Sequence, residues 1–268
     1  MKKCYGVMLL GMVLMGGMAH ANDYEKIQKK GEIVIGVRDS SPPFGFFDKA
    51  RGTVWGYDIE FAQNIAHKLG VKPVFKTVDP ADRITALKDG RVDIVLATLA
   101  KTAERMREIE FSLGYFLATQ KLLAKKKVGF KDINQLDAMT VCVPAGSSNA
   151  QYLRRLSANV KIDSTLPDTA EVFKAIGEGR CEATCGSEGS LLRNLSKLPN
   201  KADFEVPDVP LEVEVYAVGL RKGEKKLQDQ INLALLDLEK GGEAAAIYDR
   251  YFGAASPVPV TRTFKITK

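Results

Sequence analysis

Two rhythms alternate along the first hundred residues. Short apolar runs at Ile33–Val37, Val74–Val78 and Val92–Ala97 have the length of buried strands and are too short for typical helices. Between them, Gly56–Gly70 carries Ile59, Phe61, Ala62, Ile65, Ala66 and Leu69 at roughly helical spacing, and Asp79–Lys88 enters a second helix with Arg83 in an early turn. Asp23–Gly31 predicts a short leading helix closed by a glycine, and Pro42-Pro43 stops any regular element after the first strand. The order is β-α-β-α-β, which implies a parallel sheet with right-handed crossovers.

The rhythm then repeats. Thr140–Val143 predicts a strand, followed by Pro144-Ala145-Gly146-Ser147-Ser148 and a helix to about Leu156. Val160–Asp163 predicts a strand, Thr169–Gly177 a helix, and Cys181–Cys185 a strand ahead of Ser187 and Glu188. Tyr115–Lys125 connects the two units as a strand, and Val213–Arg221 returns. Helices over Lys225–Glu239 and Glu243–Tyr251 most simply cap the first unit, and Ser256–Lys268 reads as an extended tail packed on a lobe. The expected fold is α/β and two-lobed, each lobe a parallel-rich sheet with flanking helices. Residues 22–118 and 217–268 would form lobe 1 and residues 119–216 lobe 2, with crossings near Ala118–Gln120 and Tyr216–Ala217. Such a pair of lobes can close by a hinge around a ligand.

Residues 1–21 stand outside this pattern. Lys2 and Lys3 precede an apolar run, Val7–Met18, and Ala19-His20-Ala21 suits a signal peptidase, so a secretory signal cut after Ala21 is expected. The run is shorter than the roughly 20 residues of a membrane span. Cys4 precedes it, which does not suit lipoprotein acylation. Loss of Lys2 and Lys3 would lower the net charge from +6 to +4. Basic and acidic residues are interspersed, and no concentrated basic stripe stands out beyond Lys125-Lys126-Lys127, so a nucleic-acid partner is not expected. The remaining length is ample for two lobes.

The polar residues that matter follow the strands, because ligands of parallel α/β sheets bind beyond the carboxyl ends of the strands. Arg38 follows the first strand and Arg83 the second; Thr98, Thr102 and Arg105 follow the third. Short hydroxyl donors and a two-pronged guanidinium suit a carboxylate. Arg105 also fits a solvated face beside Glu104, Arg107 and Glu108. Three arginines at one end of a lobe repel one another unless an anion lies between them. In the second unit Ser147 and Ser148 open a helix whose free N–H groups and dipole favour an anion, although a plain N-cap serine is the other use of that position. Ser187 and Glu188 stand ready to receive an ammonium group. Beyond the signal the only histidine is His67, in mid-helix, which argues against Ser-His-Asp or Cys-His catalysis. The cysteines lack the paired Cys-x-x-Cys spacing of zinc sites, and no cofactor is expected.

Ala97-Thr98-Leu99-Ala100-Lys101-Thr102-Ala103-Glu104-Arg105, then Phe111-Ser112-Leu113-Gly114-Tyr115, resembles the carboxylate clamp of periplasmic polar amino-acid-binding proteins, the soluble receptors of ABC importers. Their usual run is small-Gly-Met-Thr-Ile-Thr-Pro-Glu-Arg, so Ala100 replaces one expected threonine and Thr98 stands where glycine is commoner. Gly36-Val37-Arg38-Asp39-Ser40-Ser41-Pro42-Pro43-Phe44 is similar to the glutamate/aspartate-binding members. The resemblance covers nearly the whole chain, to Tyr251-Phe252-Gly253, and implies no catalysis. It implies that Arg105 holds the ligand's α-carboxylate, and that Arg38 and Arg83 serve its side-chain carboxylate. Ser41, Thr98, Thr102 and Thr169 complete the implied ligand set with Ser147, Ser148, Ser187 and Glu188. An aspartate is usual close to Ser187, so the partner of the ligand's ammonium stays open between Ser187 and Glu188. Cys142 and Cys181 resemble a cysteine pair of some members, and export permits a disulfide there, leaving Cys185 as a buried thiol. The implied partners are glutamate or aspartate and an inner-membrane ABC permease, for a monomeric periplasmic protein. The alternative on the same fold is an exported enzyme resembling cyclohexadienyl dehydratase, with Glu188 as its general acid.

Overall fold

The computed structural model describes residues 23–268, and the expected signal peptide at 1–21 lies outside the described residues. The chain opens with α1 (Asp23–Lys30) and β1 (Glu32–Val37), then a small hairpin sheet of β2 (Ser40–Ser41), β3 (Gly45–Asp48) and β4 (Thr53–Trp55). It continues through α2 (Tyr57–Lys68), β5 (Lys72–Thr77), α3 (Arg83–Lys88), β6 (Ile94–Val95), α4 (Arg105–Glu108) and the long β7 (Glu110–Lys125). The second unit holds β8 (Thr140–Pro144), α5 (Asn149–Leu156), β9 (Lys161–Leu166), α6 (Thr169–Gly177), β10 (Ala183–Ser187), α7 (Glu188–Leu195) and the short β11 (Phe204–Glu205). The chain returns along β12 (Glu212–Leu220) and closes with α8 (Lys225–Gly241) and α9 (Glu243–Phe252). Among the described residues no helix is long and apolar enough to cross a membrane.

Each unit is the expected parallel β-α-β-α-β, with β5-β1-β6 in one and β9-β8-β10 in the other. The two are not separate sheets. β7 and β12 pair antiparallel along their length and join both units into one curled sheet, in the order β5-β1-β6-β12-β7-β10-β8-β9. The expected crossings are therefore neighbouring stretches of one strand pair. Its register shifts at Tyr216/Ala217 and Ala217/Gly219, as a bulge would bend it. The third strand is shorter than its apolar run. At one end the carboxylate of Asp93 accepts the Val34 N–H at 2.8 Å in place of a ladder bond. At the other, Thr98 turns the chain with φ 49°.

Both faces of each half of the sheet are covered, which is why its strands read as continuous apolar runs. In lobe 1, α2, α8 and α9 pack on one face around Tyr57, Phe61, Phe116, Tyr248 and Phe252, while α3 covers the other around Leu87, Val92 and Leu99. In lobe 2, α5 covers a core of Val141, Val143 and Tyr152, and α6 one of Val172, Ile176 and Leu191.

Cys142 and Cys181 form a disulfide with their Cα atoms 5.8 Å apart, across the neighbouring strands β8 and β10. Asp163 stands close to both sulfurs, but the bond uses both thiols, so this trio is not a metal site. Cys185 is free and buried. The bridge spans a sequence separation of 39 residues, and on the chain-entropy account closing such a loop stabilises by about 4 kcal/mol. Reduction should therefore move the urea midpoint of unfolding clearly downward at fixed pH. An unmoved midpoint would mean that the unfolded chain gains nothing when the loop opens.

Candidate functional site

The strand ends of the two lobes face one another, and the polar groups that follow them meet there. Arg38 leaves the end of β1 and is buried, its Nη2 donating to Ser40 Oγ at 3.1 Å. Arg83 opens α3 and commits four of its five N–H donors to backbone carbonyls. Its Nε donates to Pro80 O (3.0 Å), Nη1 to Ala97 O (2.8 Å) and Thr98 O (2.9 Å), and Nη2 reaches across to Gly146 O of the facing lobe (3.3 Å). Thr98 keeps its left-handed turn because its N–H donates to Asp58 Oδ2 at 2.8 Å. Asp58 also accepts the Tyr115 hydroxyl at 2.9 Å, and burial pushes its pKa up to about 6. Arg105, at the start of α4, donates to Ala100 O (2.9 Å) and, like Arg83, to Gly146 O (3.0 Å).

From the facing lobe come the first residues of α5 and α6 and the end of β10. The Ser147 hydroxyl oxygen is buried without a hydrogen-bond partner among the described residues. Asn149 Nδ2 donates to Cys185 O at 2.6 Å and lies 3.3 Å from its Sγ, and burial pushes the Cys185 thiol up to about 12. Ser187 hydrogen-bonds the Tyr216 hydroxyl, which also accepts from Gln120 Nε2 at 3.1 Å. These groups enclose a cavity of about 70 Å³ between the lobes. That is room for about five waters, the scale of a small amino acid and not of a peptide or nucleotide.

Arg38, Ser41, Arg83, Thr98, Ser147, Ser148, Thr169 and Ser187 all line this cavity. Three residues singled out from the sequence do not. Arg105 faces an adjoining cleft on the outer side of Gly146 and Ser147. Thr102 borders another, its Oγ1 accepting the Arg105 N–H at 3.3 Å. Glu188 is held by Lys121 Nζ at 2.7 Å, shared with Asp208, and faces a separate groove under the C-terminal tail. The reason is the change of element: Ser187 ends β10 at the cavity, whereas Glu188 opens α7 and its carboxylate is drawn onto Lys121.

A profile of bacterial extracellular solute-binding proteins, family 3, matches residues 33–254. The chain belongs to that family. This solute-binding protein is 27% identical over 245 residues to the L-glutamate/L-aspartate-binding protein of Pseudomonas aeruginosa, covering 88% of this chain and 80% of the relative. It is 32% identical over 211 residues to the glutamine-binding protein of Geobacillus stearothermophilus, covering 77% and 79%. Its fold matches the crystal structure of the cysteine-binding protein from Campylobacter jejuni with a TM-score of 0.81 at 26% identity, over 90% of this chain and 97% of the other. The family comprises periplasmic receptors that bind small amino-acid ligands and work with ABC transporter permeases.

The electrostatics of this receptor's cavity are lopsided. Burial pushes the pKa of Arg38 and Arg83 down, and for Arg83 the neighbouring Arg105 and Arg38 add to the effect. Burial acts on Arg105 in the same direction, opposed first by Glu214. Glu214 is the one carboxylate lining the cavity among the described residues, and burial pushes its pKa up against a hydrogen bond from Ser148. Sequence reading passed over Glu214, Gln120 and Tyr216, which lie on the joined strands β7 and β12. The available signal was alternation along β12, where Val213 and Val215 are exposed while Glu214 and Tyr216 are buried on the other face.

Proposed function

We propose that this receptor binds an acidic amino acid, glutamate or aspartate, between its lobes and delivers it to the permease of an ABC importer. One observation carries the reading: the guanidinium groups of Arg38 and Arg83 are buried in a single cavity that, among the described residues, holds one carboxylate. Two desolvated cations against one anion favour a ligand that brings net negative charge. Ser147 and Ser148 at the start of α5 suit one ligand carboxylate, with Arg83 behind it. Arg38, Ser41 and Thr169 suit the other. Arg105 and Thr102 act from outside the cavity wall, through Gly146. Lobe limits at 22–118 with 217–268 and at 119–216, cleavage after Ala21, a periplasmic location and a monomeric state belong to the same proposal. N-terminal sequencing of exported protein checks the cleavage site.

Calorimetry of refolded, ligand-free protein against a panel of amino acids tests the ligand. An amide side chain would set its NH2 against the Arg38 donors, with no carboxylate there among the described residues and only the Ser41 and Thr169 hydroxyls to accept it, a mismatch of about 1–3 kcal/mol. Glutamate and aspartate should therefore bind at least about tenfold tighter than glutamine and asparagine. Arg38→Asp should erase that preference, because it removes a cation and adds an anion at the side-chain end. Tighter binding of glutamine, histidine or arginine by the unaltered protein would overturn the reading.

One observation favours a second reading, an exported dehydratase. Glu214 is a buried carboxyl whose pKa is raised by burial, which is what a general acid requires. Glu188, the acid expected from the sequence, is ion-paired outside the cavity. Turnover of prephenate by the purified protein would favour the enzyme, and restored uptake in a transporter-deficient strain the receptor.

A further inference from the structure

An amino acid brings an ammonium group as well as its carboxylates, and the two residues expected to receive it are otherwise engaged. Ser187 offers a hydroxyl, already bonded to Tyr216, and the Glu188 carboxylate sits on Lys121 outside the cavity. Glu214 lines the cavity from the joined strand pair, opposite Ala118 of β7 and two residues from Tyr216 on the same face. It is buried, at 8% exposure. It accepts a hydrogen bond from Ser148 and feels Arg105 and Arg83 through space, without an ion pair to either among the described residues. A carboxylate offers about four acceptor positions, so one hydroxyl leaves most of them open toward the cavity.

We infer that Glu214 is the acceptor of the ligand's α-ammonium group, taking over from the hinge strand the task that the end of β10 does not perform. This rests on the reading that the ligand is an α-amino acid. A buried carboxylate without a close cation is costly, and an ammonium with three donors supplies the missing partner in the closed state. The α-ammonium and α-carboxylate of an amino acid are separated by one carbon. The Ser148 hydroxyl, bonded to Glu214 at the start of α5, marks where that pair of charges sits.

The test compares amino acids with the same dicarboxylates lacking nitrogen: L-aspartate against succinate, and L-glutamate against glutarate. Calorimetry of the unaltered protein should show the amino acid bound at least about tenfold tighter than its deaminated counterpart. Glu214→Gln keeps the size of the side chain and an oxygen for Ser148 while removing the charge. It should weaken aspartate and glutamate at least about tenfold, leave succinate and glutarate bound as tightly or more tightly because an anion has left the cavity, and so abolish the preference. Glu214→Asp, which keeps the charge, should restore part of it. Either of two results overturns the inference: equal affinity of the unaltered protein for both members of a pair, or an undiminished preference in Glu214→Gln. The first needs no variant and holds even where a substitution impairs folding. If the unaltered protein prefers glutamine to both acidic amino acids, the proposed ligand is wrong, and Glu214 is then judged on glutamine against its deaminated analogue.

Discussion

Arg83→Ala is expected to weaken binding of every amino acid roughly a hundredfold or more, and Arg105→Ala, acting through Gly146, to weaken it by a smaller but measurable factor. Both guanidinium groups are buried, and both converge on the single carbonyl oxygen of Gly146 across the cleft. Arg83 lines the cavity itself and also satisfies Pro80 O, Ala97 O and Thr98 O, so it holds the turn that carries Thr98. Removing Arg83 takes one partner from the buried charged pair it would form with a ligand carboxylate, which costs about 3–5 kcal/mol because the other is left desolvated and unpaired. That corresponds to a loss of roughly a hundredfold or more in affinity. Arg105 adds a second route, since without it the carbonyl that frames the start of α5 loses one of its two holders. Arg107→Ala is the control, two residues on, exposed and outside every contact with the cavity. Calorimetry with thermal unfolding of each variant decides it. Unchanged affinity in Arg105→Ala would return that residue to an ordinary surface role, and unchanged affinity in Arg83→Ala would remove the charge argument for an anionic ligand.

Gly146→Ala should be nearly as damaging, for a steric reason. Gly146 adopts φ 70°, and a Cβ added there would lie 2.4 Å from Ala81 Cα and 2.8 Å from Ala81 N on the facing lobe. Those are backbone atoms that cannot rotate aside, so the lobes must stay apart. With them apart, the bonds from Arg83 and Arg105 to Gly146 O are lost and the cavity stays open to water. A loss of at least about tenfold in affinity follows, the equivalent of roughly 1.4 kcal/mol withheld from closure. The left-handed backbone costs an alanine about 1–2 kcal/mol in any setting, and this part must be separated. Gly129→Ala does so: Gly129 has φ 60° in the same lobe, with nothing within 4 Å of an added Cβ. It should lose stability and keep affinity. Small-angle scattering should show Gly146→Ala remaining extended with ligand present. Compaction equal to that of the unaltered protein would mean that the Ala81 contact does not limit closure.

Local periodicity carried the secondary structure far. Thr169–Gly177 is a helix with the bounds its pattern predicts, and most other elements lie within a few residues of theirs. The exceptions have local causes that periodicity does not register. β6 is cut short by the Asp93 carboxylate and the Thr98 turn, and the hairpin of β2, β3 and β4 hides in segments too short for a period to show.

By itself, the sequence determined the two β-α-β-α-β units, the family, the cysteine pair and the placement of arginines and hydroxyls after strand ends. Each of these is written in residues close together or in a motif of fixed order. The tertiary structure alone decided that the crossings form one antiparallel strand pair, and this is what brings Gln120, Glu214 and Tyr216 into the cavity. It also turned Glu188 away onto Lys121 and set Arg105 behind Gly146. Which side chains share a cavity depends on how strands from distant segments pair and which face each residue presents. Residues some hundred positions apart, such as Gln120 and Tyr216, leave no local periodicity that records their meeting.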